Sequence, residues 1–219
     1  MADSWLLLSS PPGAAPWNMA VDEALLQTAP ARGRALLRVY SWTEPAISFG
    51  YFQKYPVALA SRYVLVRRPT GGGVVYHGAD TTYTVIAPVG HPLQRMSTHD
   101  AYCAIHRAVA AALATNAVLH DAPVESPAGS YECFRRPVHG DVVAAGKKLA
   151  GGAQRRTRAG MLHQGSIAAT VTVAALCRGF TESLGVVFEP YELSPAEREL
   201  AARLTAEKYA TPAWNQRIR

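Results

Sequence analysis

The densest run of unusual backbone chemistry is Arg67-Arg68-Pro69-Thr70-Gly71-Gly72-Gly73, directly behind the apolar run Tyr63-Val64-Leu65-Val66. Three glycines in a row can take positive φ and bring backbone N–H groups against an anion or a flat ligand. A triplet on its own is equally well a hairpin turn with two solvated arginines at its entrance. It is not a phosphate-binding P-loop, which needs G-x-x-x-x-G-K-[ST] ahead of a helix. A second stretch, Gly146-Lys147-Lys148-Leu149-Ala150-Gly151-Gly152-Ala153-Gln154-Arg155-Arg156, sets Lys148 among small residues. Such a lysine either points its ammonium into a groove that the glycines leave open or decorates a solvated hairpin tip. His163, in Met161-Leu162-His163-Gln164-Gly165-Ser166-Ile167, is a candidate ligand or a satisfied core histidine.

The cysteines differ in setting. Cys133 lies in the polar stretch Gly129-Ser130-Tyr131-Glu132-Cys133-Phe134-Arg135-Arg136, where two arginines favour its thiolate. Cys103 and Cys177 fall in apolar helical segments and are assigned to packing. With three cysteines and no C-x-x-C spacing, neither a disulfide framework nor a zinc knuckle is suggested. His99, Cys103 and His106 share one helical face at i, i+4 and i+7, a spacing that can supply three metal ligands. Without an acidic partner of the H-E-x-x-H kind, a partly packed, partly exposed face is the expectation there, and no metal is assigned.

These residues need elements to position them. Asn18–Thr28 reads as a helix capped by Asn18, with Met19, Leu25 and Leu26 at helical spacing. Leu36–Phe49 reads as two strands broken at Pro45, and Tyr63–Val66, Val74–Tyr76 and the β-branched Thr81–Ala87 as three more. Ser97–Ala114 is the longest expected helix, with Ile105, Val109 and Leu113 repeating. Asp121–Gly140, with Pro123, Pro127 and Pro137, reads as a long loop. A hairpin around Gly146-Lys147 follows, then a strand near Leu162–Ala169, a helix over Val171–Leu184, and a helix over Ser194–Tyr209 with Ser194 at the cap and Pro195 at its first position. Hairpins outnumber clean strand-helix-strand units, so the expected class is α/β or α+β with a mixed sheet flanked by helices.

The chain of 219 residues is 49% apolar and 17% charged, with a net charge of +6. That composition excludes a disordered or collagen-like chain, and no apolar run reaches the ~20 residues of a membrane span. The run Trp5–Leu8, preceded by Asp3, is too short and wrongly flanked for a signal peptide, so a cytoplasmic location is expected, with no membrane partner. The positive charge suits acidic partners, either a phosphate-bearing cofactor or an acidic carrier protein. Nucleic acid is not expected, because the basic residues are scattered and lack interleaved aromatics.

In order along nearly the whole chain, Asn18-Met19-Ala20-Val21-Asp22-Glu23-Ala24-Leu25, Ser48-Phe49-Gly50-Tyr51-Phe52-Gln53, Arg67 to Gly73 with His77, Gly146 to Arg156, His163 to Ile167, and a closing Lys208-Tyr209 with Trp214-Asn215 resemble the lipoate protein ligase and octanoyl (lipoyl) transferase family. The resemblance implies a mixed sheet flanked by helices like the biotin/lipoate protein ligase catalytic domain, related to class II synthetases. It implies a single catalytic domain over residues 1–219, without a C-terminal accessory domain. It further implies that Arg68, Thr70, Gly71, Gly72, Gly73 and Gly151 line the acyl site, that Lys148 binds the acyl carbonyl, and that His77 and His163 line the mouth.

Two activities divide that family. Ligases activate lipoate with ATP and magnesium, whereas transferases pass an octanoyl or lipoyl group between carrier proteins through a cysteine thioester and need no cofactor. Cys133-Phe134, 15 residues before Lys148, resembles the nucleophile of one transferase branch, and His139-Gly140-Asp141 stands where ligases have Arg-Asn-Asp. The resemblance therefore implies transfer through Cys133, with an ATP-dependent ligase as the alternative. Octanoyl-acyl carrier protein or a lipoylated carrier is the implied donor. An apo-lipoyl domain, of the glycine cleavage H protein or a 2-oxoacid dehydrogenase E2, is the implied acceptor. Arg67, Arg135 and Arg136 are expected to help dock these acidic carriers.

Overall fold

A computed structural model describes residues 3–113, 115–121 and 137–218. In chain order its elements are β1 (Asp3–Ser9), α1 (Ala15–Arg32), β2 (Leu36–Tyr40), β3 (Ala46–Phe49), β4 (Val64–Arg67), β5 (Val75–His77), β6 (Thr81–Pro88), α2 (Pro92–Arg95), α3 (Thr98–Ala112), β7 (Val118–Leu119), β8 (Val142–Ala144), β9 (Lys147–Thr157), β10 (Gly160–Ile167), α4 (Val173–Leu184), β11 (Val186–Pro190), α5 (Pro195–Leu204) and α6 (Pro212–Asn215). Eight strands form one sheet in the order β11-β1-β2-β6-β10-β9-β8-β7, and β4-β3-β5 form a second. Strand β1 runs parallel to β2 and β11, while β2–β6, β6–β10, β10–β9 and β9–β8 are antiparallel. The class is the expected mixed one.

Alternation along the strands divides the large sheet into two buried faces. Leu37, Val39, Tyr83, Val85, Met161 and Ile167 pack against α3 and α4. Leu36, Ile86 and Leu162 turn the other way, against Val21, Leu25 and Ala29 of α1 and Ala201 of α5. The small sheet joins α1 through Ala46 and Val66, which cluster with Met19, Ala20 and Tyr209. Among the described residues no helix is long and apolar enough to cross a membrane.

Several expected boundaries move for identifiable reasons. Helix α1 begins at Ala15, so Asn18 is internal and buried. Its side chain donates to the carbonyls of Gly13 and Ser41, at 3.0 Å each, and accepts from Arg38. Asn18 thus ties two loops together instead of capping a helix. Strand β9 runs unbroken through Gly151-Gly152 to Thr157, because these residues pair in register with Ser166 and Gly165 of β10. A continuous ladder overrides the low strand propensity of glycine. Strands β1 and β11 are not among the expected elements; what defines them is parallel pairing with each other and, for β1, with β2, which no local pattern contains. The cap of α5 is as expected, with Ser194 and Glu197 forming a reciprocal capping box behind Pro195.

Candidate active site

Strands β3 and β4 deliver the glycine-rich loop, and the two arginines ahead of it are internal staples. Arg67 is fully buried and donates to the backbone carbonyls of Tyr51 at 2.9 Å, Gln53 at 2.6 Å and Asn215 at 2.8 Å. Arg68 is also buried, and its Nη2 donates to the carbonyls of Gly71 at 2.6 Å and Gly73 at 2.8 Å. The expectation that Arg67 docks an acidic carrier is therefore corrected: its planar fork is buried and used up on backbone oxygens. Arg68 instead fixes the shape of the loop it precedes. Close packing completes that shape, since Gly72 holds φ 85° and a Cβ on Gly50 would run into the Gly72 carbonyl oxygen. The Ser48-Phe49-Gly50 motif is thus the seat of the loop. The chain's closing residues brace it from below, with Asn215 Oδ1 accepting from Arg67 N at 2.8 Å and Trp214 Nε1 donating to Arg67 O at 2.9 Å.

From this seat the loop reaches β10. Thr70 Oγ1 donates to Gln164 Oε1 at 2.7 Å, and Gln164 Nε2 donates to Asp22 Oδ2 at 2.7 Å. Asp22 is itself paired with Arg38 at 2.6 Å and accepts from Tyr40 and Thr84. A buried charge is tolerable only when paired and bonded in this way. His77 is held similarly, with Nδ1 2.8 Å from Asp80 Oδ2 and Nε2 2.8 Å from Ser48 Oγ, while its ring stacks on Trp42. Burial pulls the His77 pKa below the usual histidine value against the opposing pull of Asp80, so the ring is neutral. Neutral His77 donates through Nδ1 and accepts the Ser48 hydroxyl at Nε2. The order of bonds is that of a Ser-His-Asp relay, but buried Ser48 also lies 3.3 Å from Arg68 Nη1, and the set holds β3, β5 and the loop in place. Asp80 Oδ2 also accepts from Ser166 Oγ at 2.7 Å, which carries the chain of contacts onto β10.

Ser166 stands opposite Gly151 in the ladder, so both point to one face. Over Gly151 lies Lys148. A Cβ at Gly151 would come within 2.6 Å of Lys148 Cε and 2.7 Å of Nζ, so only glycine lets the lysine arch there. The β8–β9 register shifts between Val142 and Val143, where the ladder passes from Ala150 to Lys148. A bulge at this place re-aims the side chain beside it. The Lys148 ammonium lies 2.7 Å from Asp141 Oδ2, with both side chains buried. Asp141 in turn accepts from Tyr102 OH at 2.6 Å and from Val138 N at 2.7 Å, and Tyr102 OH accepts from Gly152 N at 3.0 Å. Asp141, Tyr102, Asp80 and Gln164 bond directly to the candidate site residues or to their backbone and were not singled out by sequence reasoning. Tyr102 and Gln164 bond to distant partners, whereas Asp141 and Asp80 join a near one, Lys148 and His77, to a distant one, Tyr102 and Ser166; the one legible signal was Asp141 opening the lysine hairpin.

His163 faces the other way. It is fully buried, with Nε2 3.2 Å from Tyr83 OH and Nδ1 3.3 Å from Gln154 Nε2. Its ring lies 5.3 Å from that of His106, whose Nδ1 donates to the Gly140 carbonyl at 2.6 Å. Burial lowers the His106 pKa to about 4 and drives that of His163 well down, so both rings are neutral. The structure therefore brings Thr70, the glycine loop, His77, Gly151 and Lys148 to one face, and sets His163 on the α3 side beneath Gly152. A Cβ on Gly152 would meet His163 Nε2 at 2.5 Å.

Cys133 and the arginines Arg135 and Arg136 lie outside the described residues. Burial raises the Cys103 and Cys177 thiols above the usual value, and Cys103 Sγ also lies 3.6 Å from His99 Nε2. The grouping of His106 with His99 and Cys103 is corrected, because His106 turns inward to Gly140.

The sequence from residue 14 to 186 matches the family model of the lipoyl protein ligase A/B catalytic domain. The chain is 32% identical to octanoyltransferase LipM of Kyrpidia tusciae, over 98% of this chain and 99% of that protein. It is 35% identical to octanoyltransferase LipM of Oceanobacillus iheyensis, over 80% of this chain and 68% of that one. Among solved structures it resembles lipoate-protein ligase A bound with ATP, with a TM-score of 0.78 at 24% identity over 99% of both chains. It also resembles a bi-partite lipoate protein ligase from Thermoplasma acidophilum, with a TM-score of 0.71 at 23% identity over 99% of this chain and 96% of that one. The protein belongs to the lipoyl protein ligase A/B catalytic domain family.

Proposed function

We propose that the protein is an octanoyltransferase that moves an octanoyl group from an acyl carrier protein thioester to the lysine of a lipoyl domain, through a thioester on Cys133. The observation that carries the reading is the Lys148 ammonium, held 2.7 Å from Asp141 over Gly151, on the sheet face that Thr70 of the glycine loop reaches through Gln164. The similarity to octanoyltransferases LipM along the length of the chain supports octanoyl as the group transferred.

The Cys133 thiolate attacks the carbonyl carbon of the donor thioester. Negative charge then grows on the carbonyl oxygen, where an ammonium donor stabilises it without reorganising. Collapse expels the carrier thiolate, which takes up a proton, and leaves octanoyl on Cys133. The neutral amine of the acceptor lysine attacks this second thioester, loses a proton, and releases the cysteine thiolate with a stable amide. Both steps develop an oxyanion, so one Lys148 serves both. Thioester energy drives the sequence, so this reading requires neither ATP nor magnesium. Val138, whose N–H bonds Asp141, is five residues from Cys133, so at most about 18 Å of chain separates the proposed nucleophile from the turn that holds Lys148.

Intact mass of the protein after incubation with octanoyl-acyl carrier protein, without ATP, tests the proposal. One octanoyl adduct on the wild type, released by hydroxylamine and absent from Cys133→Ala, is the expected result. No adduct, together with modification of an apo-lipoyl domain only when free octanoate, ATP and magnesium are supplied, would replace it by the ligase reading.

A further inference from the structure

Outside the acyl site, three transition-metal donors converge from two elements. His99 and Cys103 lie one turn apart on α3, and His139 approaches them from the turn before β8. One donor atom from each falls within 4.8 Å of the other two. Cys103 Sγ is 3.6 Å from His99 Nε2. A tetrahedral zinc ion, with bonds of about 2.0 Å to nitrogen and 2.3 Å to sulfur, sets its N and S ligands about 3.5 Å apart. The His99 and His139 rings lie 4.6 Å apart at 42°, against each other but not stacked flat. His139 Nε2 is 3.2 Å from Asp121 Oδ1, a solvent-exposed carboxylate–histidine contact of the kind that accompanies ligating rings and leaves Nδ1 as the other donor atom.

We propose that His99, Cys103 and His139 form a binding site for a divalent first-row transition metal of the zinc class, which ties the turn carrying Asp141 to helix α3. One thiolate and two imidazoles select against magnesium and calcium, which take oxygen ligands. Three protein donors leave a fourth position for water. His139 is followed by Gly140, whose carbonyl accepts from His106, and by Asp141, which pairs with Lys148. A metal here fixes the first residue of a turn whose next two are already bonded to His106 of α3 and to Lys148. The site is separate from the acyl chemistry, and its test reads metal binding directly.

The full-length protein, stripped with a chelator, is titrated with Co²⁺ and then with Zn²⁺. The expected result is one equivalent of cobalt with a thiolate-to-metal charge-transfer band and tetrahedral d–d bands, all displaced by zinc. Cys103→Ser removes the charge-transfer band, whereas Cys133→Ala keeps it. His99→Ala and His139→Ala, at exposed and half-exposed positions that tolerate truncation, each weaken zinc binding by more than about tenfold. Zinc raises the melting temperature of the wild type and leaves that of His139→Ala unchanged. Absence of stoichiometric cobalt binding overturns the proposal. So does a charge-transfer band that survives Cys103→Ser and disappears in Cys133→Ala, or wild-type zinc affinity in both histidine variants.

Discussion

The Lys148 ammonium and the Asp141 carboxylate are 2.7 Å apart, and Asp141 is fully buried with Tyr102 OH on its second oxygen. The pair is a positioning device: the aspartate sets where the ammonium sits, and the ammonium faces the acyl carbonyl in the proposed reaction.

Lys148→Met removes the donor and leaves the thiol. The expected result is a fall in kcat for octanoyl transfer of about 10²–10³, the usual consequence of losing one oxyanion donor, with donor KM little changed. Steady-state kinetics with an octanoyl carrier checks it. Asp141→Ala should do more harm to folding, because it strands a buried ammonium. A loss of about 3–5 kcal/mol is expected in urea unfolding, against a smaller loss for Asp141→Asn, which keeps a hydrogen-bond acceptor.

Arg67 gives a second test, of structure against docking. Arg67→Lys cannot reproduce the fork that satisfies the carbonyls of Tyr51, Gln53 and Asn215. Unsatisfied buried carbonyls cost about 1–3 kcal/mol. A drop in Tm on the order of 5–10 °C is expected for a chain of this size. An unchanged Tm with weaker carrier binding would return Arg67 to a docking role.

Gly152→Ala places a methyl 2.5 Å from His163 Nε2, among rings that are themselves packed. Overpacking of this kind costs about 1–3 kcal/mol. The double variant Gly152→Ala with His163→Ala should recover part of that loss, and failure to recover it in urea unfolding would show that the two residues do not meet.

Acid stability follows from His106. Its folded-state pKa of about 4 lies below the unfolded value of 6.5, so between those values the unfolded chain binds the extra proton. Stability is therefore complete above pH ~6.5 and declines as pH falls towards ~4, by up to about 3 kcal/mol for this one group. His163, also driven down by burial, adds in the same direction. His106→Phe should flatten the slope of unfolding free energy across this range, and an unaltered slope would place the titration elsewhere.

The elements legible in the sequence were those with strong local signals: the Ser194-Pro195 start of α5, the Pro45 break between β2 and β3, and the hydrophobic period of α3. The glycine loop and Lys148 were legible too, because a glycine triplet and a lysine among glycines are local anomalies, and with the other motifs in order they sufficed to place the chain in its family. What tertiary structure decided was direction and pairing. The sequence sets Arg67 and Arg68 at the entrance of the glycine loop, the first expected to dock carriers and the second to line the acyl site, but the tertiary structure turns both onto backbone carbonyls, up to 148 positions away. His163 and Gln164 are adjacent in sequence yet on opposite faces of β10, and only the register of the ladder says which face carries the site. Likewise, a 3.6-residue period put His106 with His99 and Cys103, but α3 buries His106 against Gly140 and brings His139 to the other two. Periodicity assigns a side chain to a stripe of its own helix, whereas the partner that stripe meets is set by chain segments that no local pattern contains.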